Sequence, residues 1–289
     1  MRILVLRGGA LGDFIVTLPA LALLRQRWPE ASIELVGNLT AASLALPSRL
    51  IDAAHSQHEA RWAALYGDAP LPPALAQWLG DFDLILNFWP DPAQELARRF
   101  PLRAGQNFLT AEALPRSAPA ARHFCEPLRQ LGLSPVAWLH TLCIPQPEAR
   151  RIALHPGSGS TRKNWPVDRW LTLAHWLEEE HHAELLVISG ETEPPDLLTG
   201  IGAHLRNLPM NTLADELARC RLFIGHDSGI SHLAAATGVP GVLLFGPTDP
   251  LIWAPPTPTM RVLQRDADLA SISLAEVQQA VAAALPDQN

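Results

Sequence analysis

One lysine, one tyrosine and three cysteines are all that 289 residues contain of those types. Each scarcity excludes something. Cys125, Cys143 and Cys220 sit in apolar surroundings with no metal-ligand spacing, which argues against a disulfide framework or a zinc motif. Buried thiols in a reducing cytoplasm are the expectation. No apolar run reaches the roughly 18–20 residues that a membrane-spanning helix needs. The opening Met1–Arg7 segment holds an apolar run of only four residues, closed by an arginine and a glycine-rich turn, so it does not read as a signal peptide. Basic excess is missing too. Residues 1–150 carry 13 arginines against 13 acids, and the net charge of −7 lies wholly in residues 151–289, so no nucleic-acid-binding face is expected. Against 21 arginines, the single Lys163 stands out.

What is present describes a globular chain with ample core. Hydrophobic residues make up 48% and charged residues 18%, and the length suits two α/β domains. Arg2–Arg7 reads as a buried strand, Gly8–Asp13 as a glycine-rich turn, and Phe14–Trp28 as a helix with Pro19 near its first turn. Ser32–Val36 is a second strand, and strand–helix–strand in this order builds a parallel sheet. Helices are expected near 41–46, 73–79, 93–100 and 121–131, a strand over 83–88, and a long surface loop over 101–120. The second half restarts the alternation, with strands at 151–155, 184–188, 222–224, 241–245 and 261–263. Its helices are expected at 166–182, near 195–202, at 212–219, after Asp227 or Ser228, and at 273–285. The last opens with a Ser273–Glu276 capping box. Leu142–Arg150, with two prolines, is the linker candidate. The expected domains are therefore 1–147 and 148–289, with the terminal helix a candidate for packing back on the first.

Three stretches carry chemistry. Phe223–Pro240 reads as a buried strand, a polar turn and the first turns of an apolar helix, stopped by Gly238 and Pro240. A helix whose unpaired N–H groups open at the carboxyl end of a parallel strand is an anion site. The turn contains Ser, His and Asp but fails the G-x-S-x-G register of a hydrolase elbow. His226 and His232 lack a third metal ligand at useful spacing. His155–Trp165 offers small residues, three hydroxyls, Arg162 and Lys163, without the P-loop register; a solvated Arg-Lys pair is the bland alternative. Gly8-Gly-Ala-Leu-Gly-Asp13 lacks G-x-G-x-x-G, and the second strand ends without an acidic residue, which argues against an NAD site. Asp13 either caps its helix or faces a ligand; spacing alone leaves both open. Asp81-Phe-Asp83 and Asp266-Ala-Asp268 match the weak D-x-D pattern but look like ordinary turns.

Taken in order, Arg2–Asp13, His155–Pro166, Asp227–Ala236 and Gly246-Pro-Thr-Asp249 resemble glycosyltransferase family 9, the ADP-heptose heptosyltransferases of lipopolysaccharide core assembly. The resemblance covers residues 1–250, loosely over 40–145. It implies a GT-B fold, with two Rossmann-like α/β/α domains whose parallel sheets face across a cleft, and an inverting enzyme that needs no metal or other cofactor. By the same resemblance Asp13 is the general base. The nucleotide-sugar would meet Gly12, Ser158, Gly159, Ser160, Thr161, Lys163, Glu191, Met210, Asp227, Ser228, Gly229 and Ile230. Lys163 and Ser158 hold the diphosphate, Asp227 lies near the sugar, Ser228-Gly-Ile230 forms the helix start under the phosphates, and Glu191 takes a ribose. Implied partners are a nucleotide-sugar donor and a lipid-linked or glycan acceptor, with a monomer in the cytoplasm or peripheral on the cytoplasmic face of the inner membrane. A nucleotide-sugar 2-epimerase-like enzyme and a non-catalytic nucleotide-sugar-binding protein are the rival readings. Arg98, Arg99, Arg103, Arg116 and Arg122 are candidates to converge on an acceptor. Trp62, Trp78 and Trp89 are candidates to stack on sugar or meet a membrane, although core packing is the commoner role for any one tryptophan.

Overall fold

A computed structural model describes residues 1–194 and 196–285. The chain forms two compact units, Met1–His140 and Thr141–Asn289. In the first, β1 (Arg2–Arg7) runs into α1 (Leu11–Ile15) and α2 (Leu18–Arg27), followed by β2 (Ser32–Gly37), α3 (Leu39–Ala42) and β3 (Ala53–Ser56). Then come α4 (Pro73–Gly80), β4 (Leu84–Asn87), α5 (Glu95–Arg99), β5 (Asn107–Thr110) and α6 (Ala120–Cys125). The strands pair in parallel in the order β3-β2-β1-β4-β5. Ile3–Leu6 sit in the middle of this sheet, covered on both faces, which is why four consecutive apolar residues form a strand and not an alternating edge.

The second unit has β6 (Arg151–His155), α7 (Val167–His181), β7 (Glu184–Ser189), β8 (Ala203–Arg206), α8 (Met210–Ala218) and β9 (Leu222–His226). It continues through α9 (Gly229–Ala236), β10 (Gly241–Phe245), α10 (Pro250–Trp253), β11 (Met260–Gln264) and α11 (Leu274–Ala284). Its parallel sheet has the order β11-β10-β9-β6-β7-β8. The terminal helix α11 packs on its own unit: Val277 and Val281 lie in one apolar cluster with Trp165, Trp170, Ile224 and Leu244. Its capping box forms as expected, the Ser273 hydroxyl accepting from Glu276 N–H and the Glu276 carboxylate accepting from Ser273 N–H.

Several sequence expectations need correction, at helix breaks and at edge strands. The expected helix over 14–28 is two helices, broken at Val16-Thr17, with Pro19 in the first turn of α2 where its missing N–H costs nothing. The expected loop over 101–120 contains β5, and the unassigned region before residue 60 contains β3. Both are four-residue edge strands held by backbone pairing to one neighbour, too short for a side-chain period to register. In place of the helix expected near 195–202, turns over 196–200 lead into edge strand β8; Pro195 itself lies outside the described residues. The helix expected over 121–131 is α-helical only to Cys125. Pro127 enters the continuation, which tightens to a 3-10 turn ended by Gly132 at φ +74°.

Candidate functional site

Strand order fixes where each unit can hold a ligand. In the second unit the connections run one way from β6 through β7 to β8, then return to the other side of β6 as β9, β10 and β11. The order therefore reverses between β6 and β9, and the crevice beyond their carboxyl ends is where such sheets bind ligands. The chemistry-bearing stretches end there: the loop after His155, the turn after His226 and the turn after Phe245.

His226 holds this edge together. Its ring is fully buried, with Nε2 accepting the Trp165 N–H at 3.0 Å and Nδ1 donating to Gly157 O at 3.2 Å. Burial pushes its pKa down to about 3, with the neighbouring His155 adding to that shift while the Gly157 bond and Asp227 oppose it. His155 is likewise pushed down to about 4 by burial. Both are neutral at pH 7, and His226 has both ring nitrogens committed to backbone. That leaves it no lone pair for a metal, and among the described residues no group of three His, Cys, Asp or Glu side chains is placed to hold one. The Ser/His/Asp composition of the turn is structural: Ser228 Oγ lies 3.3 Å from His155 Nδ1 and caps α9 by accepting Ser231 N–H at 3.3 Å.

Lys163 and Asp227, 64 residues apart, meet with Nζ 2.6 Å from Oδ2. The Thr248 hydroxyl donates to the same oxygen at 2.5 Å. Asp227 is 11% exposed and Lys163 28%. Three loops, after β6, β9 and β10, thus place a cation, a carboxylate and a hydroxyl in one cluster beside the capped start of α9. Removed from bulk water, this pair interacts more strongly than a surface ion pair. An incoming anion would compete with Asp227 for the lysine.

The residues around the cluster divide into exposed groups and loop supports. Ser158 is buried, its Oγ 2.7 Å from both Ser160 O and Asn164 Oδ1, and it accepts Ser160 N–H at 3.3 Å. Gly159 is open, with no atom within 4 Å of where a Cβ would stand. Thr161 begins the 3-10 turn that carries Lys163. Gly229 and Ile230 form the first turn of α9, and Met210 opens α8, half-buried. Glu191 is exposed on the turn after β7, whereas its neighbour Glu193 is buried and accepts Gly190 N–H at 2.6 Å. Glu193 packs so tightly on Gly157 that a Cβ there would overlap its side chain.

Gly12 and Asp13 lie in the first unit, in α1. Asp13 does cap its helix: Oδ2 accepts the Ala10 N–H at 2.9 Å. Oδ1 lies 3.3 Å from Nη2 of Arg7, whose side chain is 3% exposed against 34% for Asp13. The Arg7 guanidinium stacks over the Phe124 ring at 4.1 Å and donates Nε–H to Asp13 O at 2.9 Å. Burial lowers its pKa to about 10, and Asp13 partly offsets that shift, so Arg7 stays charged at neutral pH. Capping and a ligand-facing role are thus compatible, because the carboxylate remains a third exposed.

Sequence reasoning did not nominate Thr248, Arg7, Glu193 or His226 for these tasks. Thr248 stands inside the Gly246-Pro-Thr-Asp249 motif, and a charged Arg7 closing an otherwise apolar strand was the available signal. The five candidate arginines each have separate local partners, the Arg103 guanidinium lying against Gly80. Arg98 donates to Ala93 O at 2.6 Å, Arg99 to Ala69 O at 2.6 Å, Arg116 pairs with Glu112, and Arg122 lies 3.8 Å from Glu126. Trp62 packs against Trp78 at 5.6 Å and Trp89 at 6.2 Å between ring centroids, as core.

Residues 134–277 match the sequence profile of glycosyltransferase family 9 (heptosyltransferase). The chain belongs to glycosyltransferase family 9. Among curated proteins this family 9 chain is 33% identical over 98 residues to lipooligosaccharide heptosyltransferase 2 of Haemophilus influenzae, covering 30% of the chain and 28% of that protein. It is 35% identical over 104 residues to lipopolysaccharide heptosyltransferase 1 of Pseudomonas aeruginosa, covering 34% and 29%. These alignments span less than a third of either relative's length. Among solved structures, a family 9 glycosyl transferase from Veillonella parvula superposes with a TM-score of 0.79 at 21% identity, covering 98% of this chain and 97% of that one. The ADP-heptose lipopolysaccharide heptosyltransferase II of Escherichia coli superposes at 0.73 and 18% identity, covering 99% and 98%. The family 9 chain therefore has the GT-B class of fold, two α/β units each built on a parallel sheet. Among its described residues no helix is long and apolar enough to cross a membrane.

Proposed function

We propose that this family 9 chain is an inverting, metal-independent glycosyltransferase that moves a sugar, heptose from ADP-heptose, to a lipopolysaccharide-core or related glycan acceptor. The observation that carries the reading is the cluster of the sequence's single lysine with Asp227 and Thr248 at the β6/β9 switch point, beside the capped start of α9. The naming of its curated relatives as heptosyltransferases supports heptose as the sugar. In this reading residues 1–147 bind the acceptor and 148–289 the donor.

The chemistry then divides by residue. Asp13 takes the proton from an acceptor hydroxyl as that oxygen attacks the anomeric carbon from the face opposite ADP. The bond from that carbon to the diphosphate oxygen breaks, and ADP leaves with the bonding pair. Lys163, attracted away from Asp227 by the diphosphate, and the N–H groups at the start of α9 stabilise the charge that develops on the leaving group. Asp227, released from the lysine, turns to the sugar. Gly12 and the 158–161 loop line the donor, Met210 packs at its rim and Glu191 binds ribose. A lipid-linked acceptor would bring this cytoplasmic protein to the inner face of the membrane as a peripheral monomer.

The test combines a thermal-shift panel of ADP-, UDP- and GDP-sugars with a transfer assay. Lys163→Ala is expected to weaken ADP binding, whereas Asp13→Asn keeps binding and loses turnover. A turnover-competent Asp13→Asn protein refutes the base assignment, and chelator-sensitive transfer refutes the metal-free mechanism. Release of free UDP and sugar without an acceptor would identify the epimerase alternative. Tight ADP-sugar binding with no transfer to any acceptor would identify the binding protein.

A further inference from the structure

The carboxyl edge of the first sheet carries a groove of about 500 Å³, a volume suited to a small ligand. Gln57, His58, Glu59, Trp62, Tyr66 and Trp89 line it. It adjoins the turn that carries Asp13: a Cβ on Gly8 would stand 3.3 Å from Gln57 Oε1 and 3.5 Å from Trp89 Nε1. Pro90 is shared with a second hollow of about 580 Å³, whose lining includes Asp91, Gln94, Thr110, Glu112 and Arg116, so the two run on from each other.

The charge of this edge is distinctive. The first groove has one charged lining residue, Glu59, and no arginine or lysine. Glu59 is matched from outside the groove by Arg61, Nε to Oε2 at 2.9 Å, and that guanidinium lies over the Trp62 ring at 4.1 Å. In the second hollow the one cation, Arg116, is ion-paired with Glu112. Asp91 remains, accepting the N–H groups of Leu96 at 3.0 Å and Ala97 at 3.1 Å; its negative charge also helps raise the Tyr66 pKa, after the larger effect of burial. Arg99, which could have served the groove, is turned to Ala64 O at 3.0 Å and Ala69 O at 2.6 Å. An anionic ligand would give up its hydration here for arginines already ion-paired to Glu59 and Glu112. An uncharged polyol would meet an amide, an imidazole and a carboxylate. It would also meet the half-exposed ring of Tyr66, the chain's single tyrosine, at 48% exposure.

We infer that this groove binds an uncharged saccharide unit of the acceptor beside Asp13, and that the negative charge of Asp91 and the lack of a cation in the lining disfavour acidic sugars there. The inference rests on the acceptor role proposed above for the first domain and adds its chemical class.

The experiment titrates the full chain with a neutral mannose disaccharide and with the same disaccharide bearing a terminal uronate. Saturation-transfer NMR reads saccharide binding, and ADP binding is measured in parallel. The wild type is expected to bind the neutral sugar at least about fivefold more tightly than the uronate. Tyr66→Ala should weaken the neutral sugar, and Glu59→Lys should narrow or reverse the preference while ADP binding stays unchanged. A wild-type preference for the uronate overturns the inference, as does absence of both sugars from a protein that still binds ADP. Loss of ADP binding with the neutral preference intact counts against the donor reading alone.

Discussion

Acid should loosen the β6/β9 edge through His226, and the size of the effect follows from its burial. Folded, His226 is neutral with a pKa of about 3 and His155 with about 4. Unfolded, a histidine titrates near 6.5. Below that value the unfolded chain binds protons that the folded chain refuses, so stability is fully present above about pH 6.5 and is lost as pH falls toward the folded values. Between pH 7 and pH 5 each residue costs about 2 kcal/mol, and the pair about 4, against a typical total of roughly 5–15. Glu34, Asp52 and Glu276 are held below the usual carboxylate range and remain charged over this interval in both states. His140 and His181 shift in the same direction as His226, so a variant is needed to isolate it. His226→Phe keeps a ring against Trp170, now 5.3 Å away between centroids, and strands Trp165 N–H and Gly157 O. At pH 7 it should cost roughly 2–6 kcal/mol for two unsatisfied buried groups. Between pH 7 and pH 5 it should lose about 2 kcal/mol less than the wild type. Urea unfolding followed by circular dichroism at the two pH values measures both. Equal losses in the two proteins would refute the reasoning.

Two more outcomes follow from the supports of the same edge. Gly157→Ala should drive Glu193 from its buried bond to Gly190 N–H and cost about 1–3 kcal/mol, read as a lower urea midpoint. Restored stability in Gly157→Ala/Glu193→Ala would assign the loss to that contact. Thr248→Val removes the hydroxyl donated to Asp227 and should cost about 1.5–3 kcal/mol at the cluster. In a thermal-shift titration ADP affinity should change, while the melting of Asp227→Asn should be less sensitive to the same substitution; additive effects would show that the two do not act together.

The alternating strands and helices were legible because their signals are local. A central strand such as Ile3–Leu6 is buried on both faces and must be apolar throughout, and a helix must be capped, as α9 is by Ser228 and α11 by Ser273. The lone Lys163 and the turn at Asp227 could be singled out by residue type and by position after a strand. Sequence did not reveal the edge strands β3, β5 and β8, whose existence depends on a neighbour's backbone and not on their own side chains. Nor did it reveal that Lys163 and Thr248 share one carboxylate oxygen of Asp227, that His226 holds the lysine's loop through two backbone groups, or that Arg7 lies buried against Asp13. Those pairings join residues up to 69 positions apart, through strand order and the direction each loop leaves the sheet. The sequence by itself determined which residue types stand at the ends of which strands. Only the tertiary structure decided which of them touch, because burial and distance, not residue identity, set a histidine's charge and a carboxylate's partner.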